Sequence, residues 1–388
     1  MPPEKIKIAL VCGDSLKEQS AKLWEGLDER FQTVAFCGRK NVFPLSSINL
    51  EIKRLPSTAD NFLSKNYFKY VHGQYQRMFG LEKALADFNI AHGVEAYNYY
   101  TLQCVRAKKL NPKLKVIASF VDNTFGRFEY NYWPGFSCPP RYWRNRINAI
   151  IKENIAGVDK FLAISGNAAE LAYEMGAKPE QVEVVYPSLI VEPGDDSLVE
   201  QLNLKNVSFD LVISRMTWEK GIYDILYAWK MYVRESKRAG RKLVVIGDGK
   251  EGKNFRRLVA DLGLSDSVIT VKNISNSQIK QLYKHARAFL LGSAPTRTWQ
   301  EQYGYSLVDA ILQNCPVIST TSGAIPEVVG SAGILVPAGN PVEFKKALLR
   351  LDDEQAHAAL KENGLRERQK FDINVYKKKL IEVCSSLV

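Results

Sequence analysis

The sequence predicts an α/β protein built from two doubly wound domains that face each other across a cleft. Its 388 residues are enough for two domains of ordinary size. In both halves of the chain, short β-rich apolar runs alternate with longer helical patterns, which is typical of parallel sheets covered by helices. Residues 188–207 show little periodicity and contain Pro193 and Gly194. We therefore predict an N-terminal domain (1–187), a linker (188–207), a C-terminal domain (208–372) and a final segment (373–388).

The first domain shows six strand-like runs and five helical patterns. The runs are short and rich in β-branched and aromatic residues, and turn residues separate them from the helical patterns. The predicted strands are residues 6–12, 33–37, 91–94, 116–120, 161–164 and 182–185. The predicted helices are residues 16–27, 75–88, 101–109, 142–155 and 168–175.

The second domain restarts the same alternation after the linker. Its predicted strands are residues 209–213, 242–246, 268–271, 288–291, 316–319 and 333–336. Its predicted helices are residues 222–234, 254–262, 277–285, 306–313 and 341–351, and residues 375–387 form one more amphipathic helix.

Composition excludes some classes of protein. The net charge of +11 is spread over both halves of the chain, and no nucleic-acid-binding module is recognisable, so a nucleic-acid partner is not expected. A merely basic surface and a basic face resting on anionic lipid both remain open. No apolar stretch approaches the roughly 20 residues of a membrane span.

The six cysteines and the N-terminus bear on the compartment. The cysteines form no C-x-x-C pair and have no zinc-binding spacing to histidine. A reducing compartment is the simpler inference. The N-terminal apolar run is too short for a signal peptide. We expect a cytoplasmic protein, with peripheral contact at the inner membrane face left open.

Two cations follow the first strand of the second domain, in S-R-M-T-W-E-K-G. Arg215 and Lys220 bracket a strand-to-helix turn, a place where the carboxyl edge of a sheet and a helix N-terminus both favour an anion. From this segment alone, a diphosphate clamp and two solvated loop cations are equally good readings. The next strand ends in G-D-G, which is a weak phosphate-loop signal and fits a plain tight turn better.

Residues 294–306, A-P-T-R-T-W-Q-E-Q-Y-G-Y-S, place an acid before a glycine-opened helix. Glu301 ends the loop, and Asp309 lies within the helical pattern. Eight residues of continuous helix would separate two side chains by about 12 Å along the axis. Because paired glycosidase carboxylates lie about 5–9.5 Å apart, a hydrolytic pair is disfavoured. One acid for each part of a ligand with hydroxyls and an anionic group, such as a nucleotide-sugar, fits better.

In order, the motifs S-R-x-x-x-E-K-G, G-D-G, W-Q-E-Q-Y-G-Y-S-L-V-D-A and G-A-I-P-E-V-V-G-S-A-G-I-L-V span the second half. Together they resemble family 4 of the retaining glycosyltransferases (glycosyl transferases group 1), which have the GT-B fold. The first half is similar only in its alternating pattern. The resemblance implies two Rossmann-like domains, with the C-terminal helix crossing back to the N-terminal domain.

The resemblance also implies roles for residues of the second domain. Arg215 and Lys220 hold the donor diphosphate, and Glu301 contacts the hydroxyls of the transferred sugar. Asp309, the second acid of the motif, binds the nucleotide ribose. Further donor contacts are implied for Asn273, Ile274 and Ile279 around the base, for Tyr303, Gly304 and Tyr305 around sugar and phosphate, and for Glu327 at the end of the sugar pocket.

Three positions depart from the family pattern. Asp309 stands where the family usually has glutamate. The chain reads A-S-F-V-D-N where many members carry a histidine, so Asp122 or Asn123 is expected to contact the sugar or acceptor; a capped turn is the alternative. The first loop, V-C-G-D-S, has one glycine where relatives often have two. Gly13 is a candidate for close approach to the donor, and a simple strand-to-helix turn is as good a reading.

Residues 125–146 contain eight aromatic side chains and four arginines, among them Arg127. Aromatic faces stack on sugars, and lipid interfaces favour tryptophan and tyrosine with arginine. By the family resemblance the segment belongs to the acceptor side; a loop packed on its own aromatics is the alternative. His72, in the similar stretch 66–79, is expected to be structural.

The sequence thus predicts a retaining hexosyltransferase that uses a nucleoside-diphosphate sugar, with UDP the expected nucleotide, and a glycan or lipid-linked acceptor. No D-x-D triplet occurs in the chain, in keeping with metal-independent catalysis in which cations and helix ends stabilise the leaving diphosphate. Neither a cofactor nor a metal is expected. The alternatives are another GT-B activity, such as a nucleotide-sugar epimerase, and a non-catalytic basic, aromatic-rich module that binds glycans or lipids.

Overall fold

The computed structural model describes residues 4–124 apart from 62, 64, 66 and 68–74, residues 141–190, and residues 196–388 apart from 237, 239, 273 and 275. The chain divides into two compact units. Unit 1 comprises residues 1–190 and 373–388, and unit 2 comprises residues 191–372. Within the described ranges, no helix is long and apolar enough to cross a membrane.

Unit 1 contains a parallel sheet of seven strands in the order β3-β2-β1-β4-β5-β6-β7. The strands are β1 Ile6–Val11, β2 Phe31–Gly38, β3 Glu51–Leu55, β4 Ile90–Val94, β5 Lys115–Phe120, β6 Lys160–Ala163 and β7 Val182–Val184. The sequence predicted six strands and missed β3. This edge strand reads E-I-K-R-L and is largely exposed, so it carries no apolar run to reveal it.

The helices of unit 1 are α1 Glu18–Lys22, α2 Leu81–Ala84, α3 Tyr99–Ala107, α4 Arg141–Gly157 and α5 Gly166–Glu174. The last three agree with the predicted helices to within a few residues. Two predictions were too long. The helix predicted over 16–27 ends at Lys22, before Gly26 with φ +56°. The helix predicted over 75–88 shrinks to α2, because Gln76 and Gly80 adopt positive φ.

Unit 2 contains a parallel sheet of six strands in the order β10-β9-β8-β11-β12-β13. The strands are β8 Phe209–Ile213, β9 Lys242–Ile246, β10 Val268–Val271, β11 Ala288–Leu291, β12 Val317–Thr320 and β13 Gly333–Val336. All six were predicted, because each is a short run rich in apolar residues; the four central strands are mostly buried, and the edge strands β10 and β13 are mostly half-buried. The two Rossmann-like sheets confirm the predicted fold class.

The helices of the remaining chain are α6 Ser197–Gln201, α7 Ile222–Glu235, α8 Gly252–Asp261, α9 Asn276–His285, α10 Tyr305–Leu312, α11 Ile325–Val329, α12 Pro341–Arg350, α13 Glu354–Glu367 and α14 Ile373–Leu387. Three were not predicted: α6, the short α11 and α13. Helix α6 lies inside the predicted linker, and the boundary between the units falls after Ile190. Helix α13 was missed because Gly364 is its one buried residue, so no apolar stripe marks it.

Helix α14 belongs to unit 1, although it follows unit 2 in sequence. Its apolar face joins the core around β1 and β2 through Tyr376, Leu380 and Val383. Lys379 forms an ion pair with Glu183, with 2.6 Å between Nζ and Oε1. The last helix therefore returns to the first unit, as the family resemblance implied.

The core of unit 2 lies between the sheet and helices α7, α8 and α12, with the indole of Trp229 fully buried in it. A charged group is buried with it. The Arg241 guanidinium donates to Asp210 at 2.6 Å and to Asp352 at 2.8 Å, and Tyr232 donates to the same Asp352 oxygen at 2.8 Å. Burial alone would lower the pKa of Arg241, but Asp210 and Tyr232 outweigh it and raise the pKa. The network joins β8 to the end of α12.

Candidate functional site

Three loops converge at the carboxyl edge of the unit 2 sheet. They follow β8, β11 and β12, which are adjacent and parallel, so their carboxyl ends lie side by side. Open α/β sheets bind ligands at this edge. All three loops contact Glu301, the acid singled out in the sequence.

The loop after β8 crosses the loop after β11 with the two backbones in contact. Gly221 has φ +65°, and a Cβ on it would lie 1.9 Å from the carbonyl oxygen of Gly292. A Cβ on Gly292 would in turn lie 2.8 Å from the carbonyl oxygen of Gly221. The amide of Ala294 donates to the carbonyl of Glu219 at 2.9 Å. Only glycine permits this crossing, which brings Lys220 next to the loop that carries Glu301.

Lys220 and Glu301 form an ion pair that is almost completely buried. Their Nζ and Oε2 atoms are 2.7 Å apart, and the side chains are 12% and 8% exposed. The hydroxyl of Ser293 donates to the same Glu301 oxygen at 2.5 Å. A buried carboxylate is stable only when it is paired and hydrogen-bonded, and these two groups satisfy that requirement.

The loop after β12 fixes the backbone of Glu301. The amide of Ala324 donates to the Glu301 carbonyl at 3.0 Å. Gly323 has φ +55°, and a Cβ there would lie 2.1 Å from that carbonyl oxygen. The segment T-S-G-A-I-P-E, residues 321–327, therefore packs directly on the acid.

An aromatic ring covers Lys220. The Nζ atom lies 4.6 Å from the centroid of the Trp299 ring, which is within the range of a cation–π interaction. The ammonium group thus has a carboxylate and an indole ring as neighbours. Trp299 itself is half-buried.

Arg215 lies in the same loop as Lys220, as predicted, but in a different environment. Its side chain is exposed, and no described residue forms a hydrogen bond or an ion pair with its guanidinium. The G-D-G turn packs beneath this loop, where the amide of Met216 donates to the carbonyl of Asp248 at 2.9 Å. The turn therefore has a structural explanation, and Arg215 presents a free cation beside it.

Asp309 lies in α10 and is largely buried. Its Oδ1 atom has no hydrogen-bond partner among the described residues. Burial raises the pKa of Asp309 to about 6, although Lys280 in α9 acts in the opposite direction. A buried carboxylate oxygen without a donor is energetically unfavourable, and it suits a ligand hydroxyl that would supply the missing hydrogen bond.

Glu301 and Asp309 are not on one continuous helix. Helix α10 begins only at Tyr305, with Gly304 at φ +80° as its N-cap. The helical spacing of about 12 Å used in the sequence argument therefore does not apply to this pair. Tyr303 is buried, and its ring packs against the rings of Tyr305 and Phe371 at centroid distances of 5.1 Å and 6.4 Å. Helix α10 begins four residues after Glu301, and a helix leaves its first amides without carbonyl partners in a preceding turn.

The other predicted donor residues are spread over neighbouring elements. Ile274 follows β10 and Ile279 lies in α9, and both are half-buried. Glu327 lies in the first turn of α11, and its carbonyl accepts a hydrogen bond from Lys370 at 2.9 Å. Asn273 lies outside the described residues.

In unit 1, Asp122 and Asn123 follow β5 and are both buried. Asp122 accepts a hydrogen bond from the hydroxyl of Tyr97 at 2.9 Å. Glu95, which has φ +63°, accepts from the amides of Val121 and Asp122 at 2.8 Å and 2.9 Å through one oxygen. The carboxyl ends of β4 and β5 are thereby tied together, and the turn at Asp122 is firmly held.

Gly13 lies between β1 and α1 with φ +55°. A Cβ there would lie 2.2 Å from Oε1 of Gln76 and 2.9 Å from the ring of Tyr100. Side chains of the protein itself thus occupy the space beside Gly13. The positive φ fits a strand-to-helix turn, and the predicted approach of Gly13 to the donor stays a prediction.

Several sequence predictions lie outside the described residues. These are Arg127 with residues 125–140 of the aromatic segment, and His72. The described part of that segment, from Arg141, opens α4. In the described ranges, no group of three or more histidine, cysteine, aspartate or glutamate side chains is placed to hold a metal ion.

The sequence analysis did not single out three residues: Ser293 and Trp299, which contact the Lys220–Glu301 pair, and Glu95, which binds the amide of Asp122. A usable signal existed for both Ser293 and Glu95, because each is a polar residue within two positions of the carboxyl end of a strand. Trp299 gave no such signal. Only the crossing of the two loops brings its ring to Lys220.

The chain was compared with protein families. Residues 196–367 match the family model described as Glycosyl transferases group 1. This range covers unit 2 from α6 to the end of α13 and includes every residue that contacts Glu301 above.

Curated relatives are similar over a comparable part of the chain. A D-inositol 3-phosphate glycosyltransferase of Streptomyces bingchenggensis is 28% identical over 217 residues, which are 52% of this chain and 47% of that protein. An N-acetyl-alpha-D-glucosaminyl L-malate synthase of Bacillus anthracis is 25% identical over 226 residues, which are 56% of this chain and 57% of that protein. The chain spans about half the length of the curated relatives it matches.

Solved structures are similar over almost the whole chain. The crystal structure of Anabaena HepE in complex with UDP and glucose matches with a TM-score of 0.73 at 17% identity, over 98% of this chain and all of that one. At this identity the likeness shows the fold. The chain therefore has the GT-B fold, and its residues 196–367 match the glycosyl transferases group 1 family.

Proposed function

We propose that this protein is a retaining glycosyltransferase of the family 4 type. It transfers a hexose from a nucleoside-diphosphate sugar, with UDP as the nucleotide, to a glycan or lipid-linked acceptor. The observation that carries the proposal is the buried Lys220–Glu301 pair, 2.7 Å between charged atoms, at the carboxyl edge of the second sheet. It sets an anion-binding group beside a hydroxyl-binding group, as a sugar diphosphate requires.

The two cations have complementary parts in the proposal. Lys220 is buried and fixed, so it holds one phosphate in a defined place. Arg215 is exposed and has no partner among the described residues, so its guanidinium is available for a second contact with the diphosphate. Free amides at the start of α10 add further donors for anionic oxygen.

The bond changes in the proposal are those that the family resemblance implies. The acceptor hydroxyl oxygen bonds to the anomeric carbon as the bond from that carbon to the diphosphate breaks, on the same face of the sugar. The leaving phosphate takes the proton of the acceptor hydroxyl. Lys220 and Arg215 stabilise the negative charge that develops on the diphosphate. Glu301 orients the sugar hydroxyls and does not act as a nucleophile.

The remaining predicted residues complete the two substrates. Asp309 binds the ribose, residues 273–279 frame the base, and Glu327 closes the sugar pocket. The unpartnered Oδ1 of Asp309 supports the first of these roles. On the acceptor side, Asp122, Asn123 and Arg127 are proposed to contact sugar or acceptor, and residues 125–146 to contact acceptor or membrane.

The named relatives support the proposed chemistry. Two of them are enzymes that form a glycosidic product, and Anabaena HepE was crystallised with UDP and glucose. A UDP-linked hexose is therefore the first donor to test. Because cationic side chains hold the diphosphate in the proposal, we expect turnover to persist in EDTA.

The test is a screen of nucleotide-sugars against the full chain. The first readout is thermal stabilisation, since a ligand at a hundred times its Kd raises the free energy of unfolding by about 2.7 kcal/mol. The second is release of the nucleoside diphosphate, with and without glycan acceptors. The anomeric configuration of the product, measured by NMR, tests retention.

The outcomes separate the alternatives. Release of UDP that depends on an acceptor supports the transferase. Conversion of the UDP-sugar without an acceptor and without UDP release indicates an epimerase. Binding of anionic glycans or lipid vesicles with no consumption of any nucleotide-sugar indicates a binding module, and the proposal is then wrong.

A further inference from the structure

The ring of Trp299 lies against the ammonium group of Lys220, and no role follows for it from the proposed function alone. Lys220 Nζ is 4.6 Å from the centroid of the ring and 2.7 Å from the carboxylate of Glu301. These two neighbours differ in one respect that matters for an anionic ligand. The carboxylate neutralises the cation, whereas the indole ring confines it and leaves its charge intact.

We propose that Trp299 is a positioning residue for the donor diphosphate. It keeps the Lys220 ammonium in place when the diphosphate displaces the carboxylate of Glu301 from it. This inference rests on the proposed function, because it assumes that a diphosphate binds at Lys220.

Binding of a diphosphate disturbs the ion pair. The phosphate oxygens and the Glu301 carboxylate then compete for one ammonium group. Glu301 keeps the hydrogen bond from Ser293, which donates to the same oxygen at 2.5 Å. Among the described residues, the ring of Trp299 is the second group that holds the Lys220 ammonium. Without the ring, a four-carbon side chain would regain its rotamer freedom, and water would enter beside the charge.

Backbone hydrogen bonds hold Trp299 beside the Lys220 ammonium group. The amide of Thr296 donates to the carbonyl of Trp299 at 2.7 Å, and the amide of Thr298 donates to the hydroxyl of Thr296 at 3.2 Å. The same segment is tied to the Lys220 loop by the hydrogen bond from Ala294 to Glu219. The ring and the ammonium group therefore belong to two loops that are locked together.

The experiment compares nucleotides that differ by one phosphate. UDP and UMP share base and ribose, so Asp309 and the base site contribute equally to both. Isothermal titration of the full chain gives the affinity of each nucleotide for the wild type, Trp299→Phe and Trp299→Leu. If the screen shows that the protein prefers another nucleoside diphosphate, that nucleotide and its monophosphate replace UDP and UMP.

Trp299→Leu is expected to weaken UDP binding by about 3- to 30-fold, the range of a desolvated cation–π contact. UMP binding should change by less than about twofold, since the ring acts through the contact of Lys220 with the second phosphate. Trp299→Phe should retain most of the UDP affinity, because it restores an aromatic face. Tyr227→Leu, which removes an exposed aromatic side chain from α7, is the matched control and should change neither affinity.

Three results would overturn the inference while leaving the proposed function intact. Trp299→Leu could bind UDP like the wild type, or it could lose UDP and UMP affinity equally, which is what a merely structural role predicts. Trp299→Phe could be as weak as Trp299→Leu, which would assign the effect to the shape of the side chain. If the wild type binds no nucleoside diphosphate at all, the proposed function fails and the inference fails with it.

Discussion

The charged atoms of Lys220 and Glu301 are 2.7 Å apart in a place that solvent hardly reaches. The two residues are 81 positions apart in sequence, and they meet because Gly221 and Gly292 let two loops cross at backbone contact. A pair of opposite charges at this depth is unfavourable unless both are satisfied. One carboxylate oxygen of Glu301 accepts hydrogen bonds from both Lys220 and Ser293, and the ring of Trp299 covers the Lys220 ammonium group.

The two cations are expected to respond differently to truncation. Lys220→Ala and Arg215→Ala should each lower kcat/KM for the nucleotide-sugar roughly ten- to a hundredfold, since a charge-assisted contact contributes about 1.5–3 kcal/mol. Only Lys220→Ala should also lower the melting temperature, because it leaves the buried Glu301 without its counter-charge. Steady-state kinetics and thermal unfolding of both variants check this. Wild-type transfer rates in Lys220→Ala and Glu301→Gln would contradict the site assignment.

Donor binding is expected to weaken in acid through Asp309. Its pKa is raised to about 6, mainly by burial, so the carboxylate that accepts from the ribose hydroxyls is progressively lost below that pH. The diphosphate of a nucleotide-sugar has no titration in this range. The KM for the donor should therefore rise as pH falls from 7 to 5, and this rise should disappear in Asp309→Asn. A pH-independent KM in the wild type would count against a role for Asp309.

The Asp309 carboxylate, which is proposed to bind the donor, is also expected to lower the free energy of unfolding at neutral pH. An acid whose pKa is higher in the folded state than in the unfolded state destabilises the fold most at pH values above its folded pKa. The penalty shrinks as pH falls below about 6 and is gone only near the ordinary aspartate pKa of 3.8. At pH 7, Asp309→Asn should therefore raise the free energy of unfolding, by on the order of 1–3 kcal/mol. Denaturant titration measures this. Asp261→Asn, at an exposed position in α8, is the control and should be nearly neutral.

The loop crossing can be tested with one methyl group. Gly221→Ala places a Cβ 1.9 Å from the Gly292 carbonyl oxygen, at a φ of +65°. Gly339 has a similar φ of +70° with nothing within 4 Å of the corresponding Cβ, so Gly339→Ala reports the backbone strain alone. Strain at such positions costs about 1–3 kcal/mol. Gly221→Ala should destabilise the protein by more than its control and lower kcat/KM. If the two substitutions lowered the free energy of unfolding equally, the contact between the loops after β8 and β11 would not contribute to stability.

The buried network around Arg241 should be essential for folding but not for activity. Asp210→Ala removes the partner that is 2.6 Å from a guanidinium with 1% exposure, so we expect a loss of about 3–5 kcal/mol. The double variant Asp210→Ala, Arg241→Met should lose less than Asp210→Ala alone, because the fully buried guanidinium is removed and Asp352 still accepts from Tyr232 and Ser236. Removing the exposed pair of Arg257 and Asp261 should cost less than about 1 kcal/mol. Chemical denaturation compares these variants.

The sequence was sufficient wherever one local pattern decides the structure. The six strands of unit 2 are short runs rich in apolar residues, so all were predicted. The exposed edge strand Glu51–Leu55 was missed, since too few of its positions are apolar. Helix Glu354–Glu367 was not predicted for the same reason, since it has one buried residue. Positive φ angles at Gln76 and Gly80 broke a helix that composition alone favoured.

For the site, the sequence by itself determined which charged residues follow the strands: Arg215, Lys220 and Glu301 in loops, and Asp309 in the helix after the Glu301 loop. This was possible because parallel strands bring their carboxyl ends to one edge. Only the tertiary structure decided how these groups are used. It paired Lys220 with Glu301, left Arg215 exposed, buried an oxygen of Asp309 without a donor and set Trp299 over Lys220. Distances and burial depend on how loops pack against each other, and a linear pattern of residue types does not contain that information.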